Sequence, residues 1–154
     1  MTGIWSLKIL VITLLITPLT WIARIKELVL FRRMLGLFAF FYGSLHVVVY
    51  LWFYIGFDTA LLLEDIFKRP YITIGFSAFV IMFLLAATSN RFAMKSLGKK
   101  WVKLHWGMYP LSLLVIWHYY WSVKINVFWP VLYGLIVLTL LACRFKIVKS
   151  YIKN

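Results

Sequence analysis

"MLGLFAFFYGSLHVVVYLWFYIGF", Met34–Phe57, decides the fold class; its polar interruptions are Ser44 and His46. About 20 helical residues cross the hydrocarbon core of a bilayer, so this run is long enough to span. Four more apolar runs of spanning length surround it: roughly Ile4–Ile22, Tyr71–Ser89, Trp101–Trp121 and Ile125–Cys143. The connections between them are short, so consecutive helices are expected to be antiparallel neighbours. The expected fold is therefore an all-α, polytopic transmembrane bundle of about five spans, in a single domain covering 1–154.

Composition agrees. Hydrophobic residues make up 64% of the 154 and charged residues 14%. A soluble domain is about half apolar and a quarter charged. The net charge is +13, from 17 Lys+Arg against 4 Asp+Glu. The basic residues fall between the apolar runs rather than in a stripe, which is a membrane pattern and argues against nucleic acid. The single cysteine, Cys143, excludes an internal disulfide and any cysteine-rich metal site.

The basic residues also orient the chain. Arg24, Lys26, Arg32 and Arg33 follow the first run, Arg91, Lys95, Lys99, Lys100 and Lys103 follow the third, and Arg144, Lys146, Lys149 and Lys153 follow the fifth. All of these fall on one side. The other side has Lys8, Lys68, Arg69 and Lys124. By the positive-inside rule the N-terminus faces out and the C-terminus is cytoplasmic. Trp52, Tyr54, Tyr119, Tyr120 and Trp121 gather at the outer edge, as interfacial anchors do. The first run reads as a span rather than a signal peptide, because Thr-Pro follows it instead of a small-residue cleavage site. An outward N-terminus without a leader suggests an absent upstream helix.

All three histidines, His46, His105 and His118, lie in apolar runs. A polar group in lipid without a partner costs several kcal/mol. The partner is a metal or a polar group on a neighbouring helix. No acidic residue lies within a predicted span, which weakens a proton-pump reading. Histidine-only ligation in an apolar, aromatic bundle suits haem iron held by two axial imidazoles. Histidines that merely bridge helices remain the other reading.

Depth selects the pair. His46 lies 13 residues beyond Arg33, His118 lies 15 beyond Lys103, and His105 lies 2 beyond it. At about 1.5 Å per residue, His46 and His118 differ by roughly 3 Å in depth, but His46 and His105 by roughly 16 Å. His46 is thus paired with His118, and His105 is left near the cytoplasmic surface. On an ideal helix His105 and His118 would point roughly 140° apart. Pro110 lies between them and is expected to kink the helix. Each ligand histidine should donate its second ring N–H to a carbonyl or hydroxyl; Ser44 and Ser112 are near in sequence.

The strings "RRMLGLFAFFYGSLH" (Arg32–His46), "DIFKRPYITIGF" (Asp65–Phe76), "ATS" (Ala87–Ser89), "LGKKWVKLH" (Leu97–His105) and "HYYW" (His118–Trp121) carry a resemblance over nearly the whole chain. Together they resemble the MsrQ (YedZ) family of the ferric-reductase-like transmembrane superfamily. Its members are haem-binding membrane subunits of the bacterial MsrPQ system, which repairs methionine sulfoxide. The resemblance implies an inner-membrane subunit that takes electrons from a cytoplasmic flavin reductase and passes them through haem b to MsrP, a periplasmic molybdopterin enzyme. It implies FMN as a further cofactor, and His46, His105 and His118 as metal ligands. The family usually has six spans, and this chain begins about where the second would start. In two-haem members of the superfamily each of two helices carries a histidine pair; here Arg32 stands about where the partner of His46 would be, leaving a second haem without its full ligand set.

Arg32, Arg33, Lys99, Lys100 and Lys103 form a cytoplasmic basic cluster. It serves topology and anionic membrane lipid, or clamps an FMN phosphate or a donor protein, with Arg32, Arg33 and Lys103 as the cofactor-side candidates. Lys68 and Arg69 are candidates for haem propionates, and Phe41, Trp106, Tyr109 and Trp117 for flanking the macrocycle. No nucleotide-binding fingerprint is present, so any redox reading needs a separate electron donor. The rivals are a stand-alone ferric reductase of the same fold and a non-redox transporter or assembly factor.

Overall fold

A computed structural model describes residues 1–25 and 27–153, with side chains to Phe145. Of the basic residues that orient the chain, Lys26, Lys146, Lys149 and Lys153 lie outside the described side chains. Among the described residues, eight α-helices run in the order α1 (Thr2–Ala23), α2 (Leu28–Tyr50), α3 (Thr59–Lys68), α4 (Pro70–Ala87), α5 (Arg91–Leu97), α6 (Lys99–His105), α7 (Met108–Ser122) and α8 (Phe128–Lys153). A π-helical turn, Leu51–Ile55, extends α2. There is no strand among the described residues.

Among the described residues, four helices are long and apolar enough to cross a membrane: Thr2–Ala23, Leu28–Ile55, Pro70–Ala87 and Phe128–Phe145. The fourth sequence run departs from expectation. It is broken at Trp106–Gly107 into α6 and the 15-residue α7. Pro110 explains the position of the break. It has no N–H to give the carbonyl four residues back, that of Trp106; that carbonyl instead accepts from the Tyr109 N–H at 3.0 Å, a tighter turn. Short helices also fill two connections. Asp58 caps α3, accepting from the N–H groups of Ala60 (2.8 Å) and Leu61 (3.2 Å). Pro70 occupies the first helical position of α4, where a missing N–H costs nothing.

The long helices close into a ring. α1 packs on α2 and α8, α2 on α4, α4 on α7, and α7 on α8. Leu10, Ala39, Ala78, Met82, Leu85 and Leu111 form the buried centre. Lipid gives helices no hydrophobic reason to associate, so small residues and hydrogen bonds must do it. Ala39 and Ala78 supply the small residues, and the Ser6 hydroxyl donates to the Ala39 carbonyl at 2.8 Å. Outward-facing Leu30, Phe38, Phe41, Phe83 and Leu138 are exposed, as a lipid-facing surface requires.

Candidate haem site

Two of the three histidines meet at one end of the bundle. The rings of His46, on α2, and His118, on α7, have centroids 6.2 Å apart and planes inclined by 66°. Each ring lies against a glycine on a neighbouring helix. An ideal Cβ on Gly3 of α1 would stand 3.3 Å from three atoms of the His46 ring. One on Gly75 of α4 would stand 2.5 Å from His118 Nδ1 and 2.6 Å from its Cε1. These glycines are cradles that a side chain would fill. Sequence reading passed over both, although each lies in a helix that packs on the histidine's own.

His118 has a fixed tautomer. Its Nδ1 is 2.7 Å from the Tyr71 carbonyl oxygen. A carbonyl only accepts, so Nδ1 carries the proton and Nε2 keeps its lone pair. Tyr71 and Gly75 are one turn apart on α4. The missing side chain at Gly75 is what lets the imidazole reach the Tyr71 carbonyl. Ser112 instead donates to the Met108 carbonyl of its own helix at 2.7 Å. Ser44 has no side-chain hydrogen bond among the described residues, so neither serine orients the pair.

The donor set fits an iron porphyrin. A metal–imidazole bond is about 2.0–2.1 Å, and a ring centroid lies about 1.2 Å from its nitrogen, so two imidazoles in line on one ion have centroids about 6.5 Å apart. The observed 6.2 Å is close to that value. No cluster of three or more His, Cys, Asp or Glu capable of holding a metal occurs among the described residues. A two-imidazole site needs its remaining ligands from a macrocycle, which suits haem rather than a closed zinc site.

His105 lies apart from the pair. Its Nδ1 is 3.2 Å from the Trp101 carbonyl and its Nε2 is 3.4 Å from Ser89 Oγ. The Trp101 indole stacks on it with centroids 3.9 Å apart. Trp101 is itself pinned by its Nε1–H to the Thr88 carbonyl at 2.9 Å. Both histidines of the broken helix therefore touch α4 or its extension, His118 at the first turn and His105 just past the last. The break at Trp106–Gly107 reconciles them with the 140° that an ideal helix would impose.

Within electrostatic range of His105 stands the half-buried guanidinium of Arg32 on α2, and near Arg32 the half-buried Arg144 of α8. They lie within electrostatic range of each other. Arg144 Cζ is 5.4 Å from the Tyr109 ring centroid, and Arg32 Nε is buried without a hydrogen-bond partner. Neither is in an ion pair among the described residues. Arg33, Lys99, Lys100 and Lys103 are exposed. At the histidine-pair end the charges are matched differently. Lys68 pairs with Glu64 at 2.5 Å and Arg69 Nε with Asp65 Oδ1 at 3.1 Å. The expectation that these two cations await propionates meets carboxylates of their own helix already in place. The Tyr71 phenol, then Asp65, hold the Arg69 pKa above its ordinary value.

An apolar helical bundle that brings two imidazoles together from two helices is the arrangement expected of a ferric-reductase-like transmembrane component. The family model of that description, Ferric reductase like transmembrane component, matches residues 2–116, a stretch that includes His46 and His105. The chain is 47% identical over 145 residues to a protein-methionine-sulfoxide reductase heme-binding subunit MsrQ of Bordetella pertussis, covering 93% of this chain and 70% of that one. It is 46% identical over 144 residues to the subunit of the same name from Xanthomonas campestris pv. campestris, covering 93% and 66%. The chain belongs to the MsrQ family and is a multi-pass membrane protein.

Proposed function

We propose that this protein is the electron-transfer subunit of a methionine sulfoxide repair system. It holds haem b between His46 and His118 and passes electrons from a cytoplasmic flavin reductase to a periplasmic molybdopterin subunit, MsrP. The observation that carries this reading is the 6.2 Å separation of two imidazoles from different helices, one with its tautomer set by a backbone carbonyl. Haem, when bound, supplies one-electron exchange between ferric and ferrous iron.

The remaining work belongs to the chain. Gly3 and Gly75 let the rings approach, and the Tyr71 carbonyl orients His118. Arg32 and Arg144 share a half-buried end, and neither has a carboxylate partner among the described residues. Such a pair calls for an anion, and the FMN implied by the resemblance has a phosphate to offer. Arg33 and Lys103 add exposed charge for the flavin or its donor protein. His105, engaged on both ring nitrogens, is read as a group at the electron-entry end, with a ligand role requiring it to release Ser89. The basic end is cytoplasmic in this reading and the histidine pair lies near the outer face of the inner membrane. Residues 1–154 act as one domain.

The test is the spectrum of the purified protein. A six-coordinate, low-spin b-type haem is expected, and His46→Ala and His118→Ala should each abolish it or render it high-spin. Retention of the wild-type spectrum by both variants would exclude the pairing. The family description favours one second reading, a stand-alone ferric reductase. Reduction of Fe(III) chelates by the reduced protein at a physiological rate, with none to MsrP, would favour it.

A further inference from the structure

One turn beyond His46 on α2, towards the histidine-pair end, stands Tyr50. Residues four apart on a helix lie on the same face. The Tyr50 hydroxyl donates to Asp65 Oδ2 at 2.7 Å. The other carboxylate oxygen, Oδ1, is 3.1 Å from Arg69 Nε. Asp65 is only 19% exposed, although it sits on a short connecting helix. The Arg69 backbone N–H donates to the Asp65 carbonyl at 2.9 Å. Arg69 is the corner residue where α3 ends and α4 begins, held extended by the proline after it (φ −117°, ψ 95°). Two residues further on is Tyr71, whose carbonyl accepts from His118.

We propose that Tyr50, Asp65 and Arg69 form a positioning clasp that ties the helix carrying His46 to the corner that orients His118. This rests on the reading of the two histidines as haem ligands. The connectivity is what distinguishes it from an ordinary ion pair. From His46 the covalent helix leads to Tyr50, a hydrogen bond to Asp65, an ion pair to Arg69, two peptide units to Tyr71, and a hydrogen bond to His118. The two imidazoles come from helices on opposite flanks of α4, and this path joins them without passing through the space between the rings. Asp65 can serve both neighbours at once because a carboxylate offers two acceptor oxygens. A tyrosine hydroxyl on a spanning helix reaches it only because α3 folds back over that end of the bundle.

The same helix supplies a control. Glu64 and Lys68 make a pair of the same i,i+4 spacing, but their side chains are 50% and 71% exposed and neither makes a side-chain hydrogen bond or ion pair to α2 or α4 among the described residues. An exposed pair of that kind contributes little.

The experiment uses the full chain purified with haem, comparing wild type with Tyr50→Phe, Asp65→Asn, the double variant and Glu64→Gln. Two readouts are followed: the rate of haem loss to an acceptor apoprotein, and the low-spin EPR envelope, which responds to the angle between axial imidazole planes. Loss of a group that orients a ligand costs about 10–100-fold in affinity. Tyr50→Phe and Asp65→Asn should each speed haem loss by about tenfold or more and shift or broaden the EPR signal. The double variant should be no worse than the more severe single one, since both break one path. Glu64→Gln should match wild type in both. Tyr50→Phe removes a single hydroxyl, so it reports even if Asp65→Asn fails to fold. Wild-type values in Tyr50→Phe, or equal damage from Glu64→Gln, would overturn the clasp while leaving the haem ligands standing. A wild-type chain that takes up no haem would overturn both.

Discussion

Replacing Gly75 with alanine adds one methyl group, and the structure says where it goes. It would stand 2.5 Å from His118 Nδ1, whereas ordinary contact begins at 3.4 Å. Either the imidazole retreats by about 0.9 Å or α4 moves away from α7 by as much. The helix backbone is the stiffer of the two, so the ring moves. Its hydrogen bond to the Tyr71 carbonyl is 2.7 Å long, and a retreat of that size carries it past useful hydrogen-bond distance. A carbonyl and an N–H parted in a dry site cost about 1–3 kcal/mol, equivalent to about 5–150-fold in an equilibrium constant. Gly75→Ala should therefore bind haem about 10–100-fold more weakly and show high-spin or mixed-spin character. The assay is haem titration of apoprotein in detergent, read by the Soret band and by EPR. Two companion variants make the reasoning strict. Gly3→Ala meets the His46 ring at 3.3 Å, so a few tenths of an ångström suffice and the effect should be clearly smaller. Gly36→Ala meets nothing within 4 Å and should bind haem as wild type does. If Gly75→Ala titrates like Gly36→Ala, the cradle does not position His118 and the argument from close approach is wrong.

Other substitutions separate the two ends of the bundle. His105→Ala should leave the low-spin spectrum intact yet slow haem reduction by a flavin reductase in stopped-flow; an unchanged rate would remove His105 from electron entry. Arg144→Gln takes away one of two neighbouring like charges, so the apoprotein should melt a few degrees higher, about 1 kcal/mol, while FMN binding measured by fluorescence quenching weakens; a lower melting point would show that the pair already has a counter-charge. Ser6→Ala deletes the bond to the Ala39 carbonyl and should cost about 0.6 kcal/mol, seen as a small drop in thermal midpoint with haem affinity unchanged.

The long helices were legible because lipid leaves the backbone little choice. The runs beginning near Ile4, Met34, Tyr71 and Ile125 became α1, α2, α4 and α8, with α1 and α4 matching within a few residues and α8 running on to Lys153, well past Cys143. α2 begins earlier than its apolar run and carries Arg32 and Arg33 into the helix. Two elements were not legible in detail. The Trp101–Trp121 run reads as one span by its apolar and aromatic content, and a break made with a tryptophan and a glycine leaves no gap in that content. Pro110 announced a kink, but the break falls at Trp106, the residue whose carbonyl the proline deprives of a partner. α3 was invisible because its ten residues are too few to span and carry Glu64, Asp65 and Lys68, so they look like a charged loop when read for spanning length.

The histidine pair was reachable from sequence because depth along parallel spans is a sum of residue rises, a one-dimensional quantity. Whatever orients the pair depends on the phase of one helix against another, which no single run encodes. Gly3 and Gly75 matter through the rings that lie on them, and neither is distinguishable by context from Gly36, which faces open space. Tyr71 contributes a backbone carbonyl, so its side-chain identity carries no signal at all. The serines nearest to the histidines in sequence bond their own helix or nothing among the described residues, because a serine in a helix finds the carbonyl one turn back closer than any neighbour. Asp65 and Arg69 could be seen only as charges at the outer edge, available in principle to a propionate. Their engagement follows from α3 folding back onto Tyr50. In a membrane bundle of this size the meeting of His46 and His118 is therefore written in residue type and depth, and the groups that aim them in the crossing of helices.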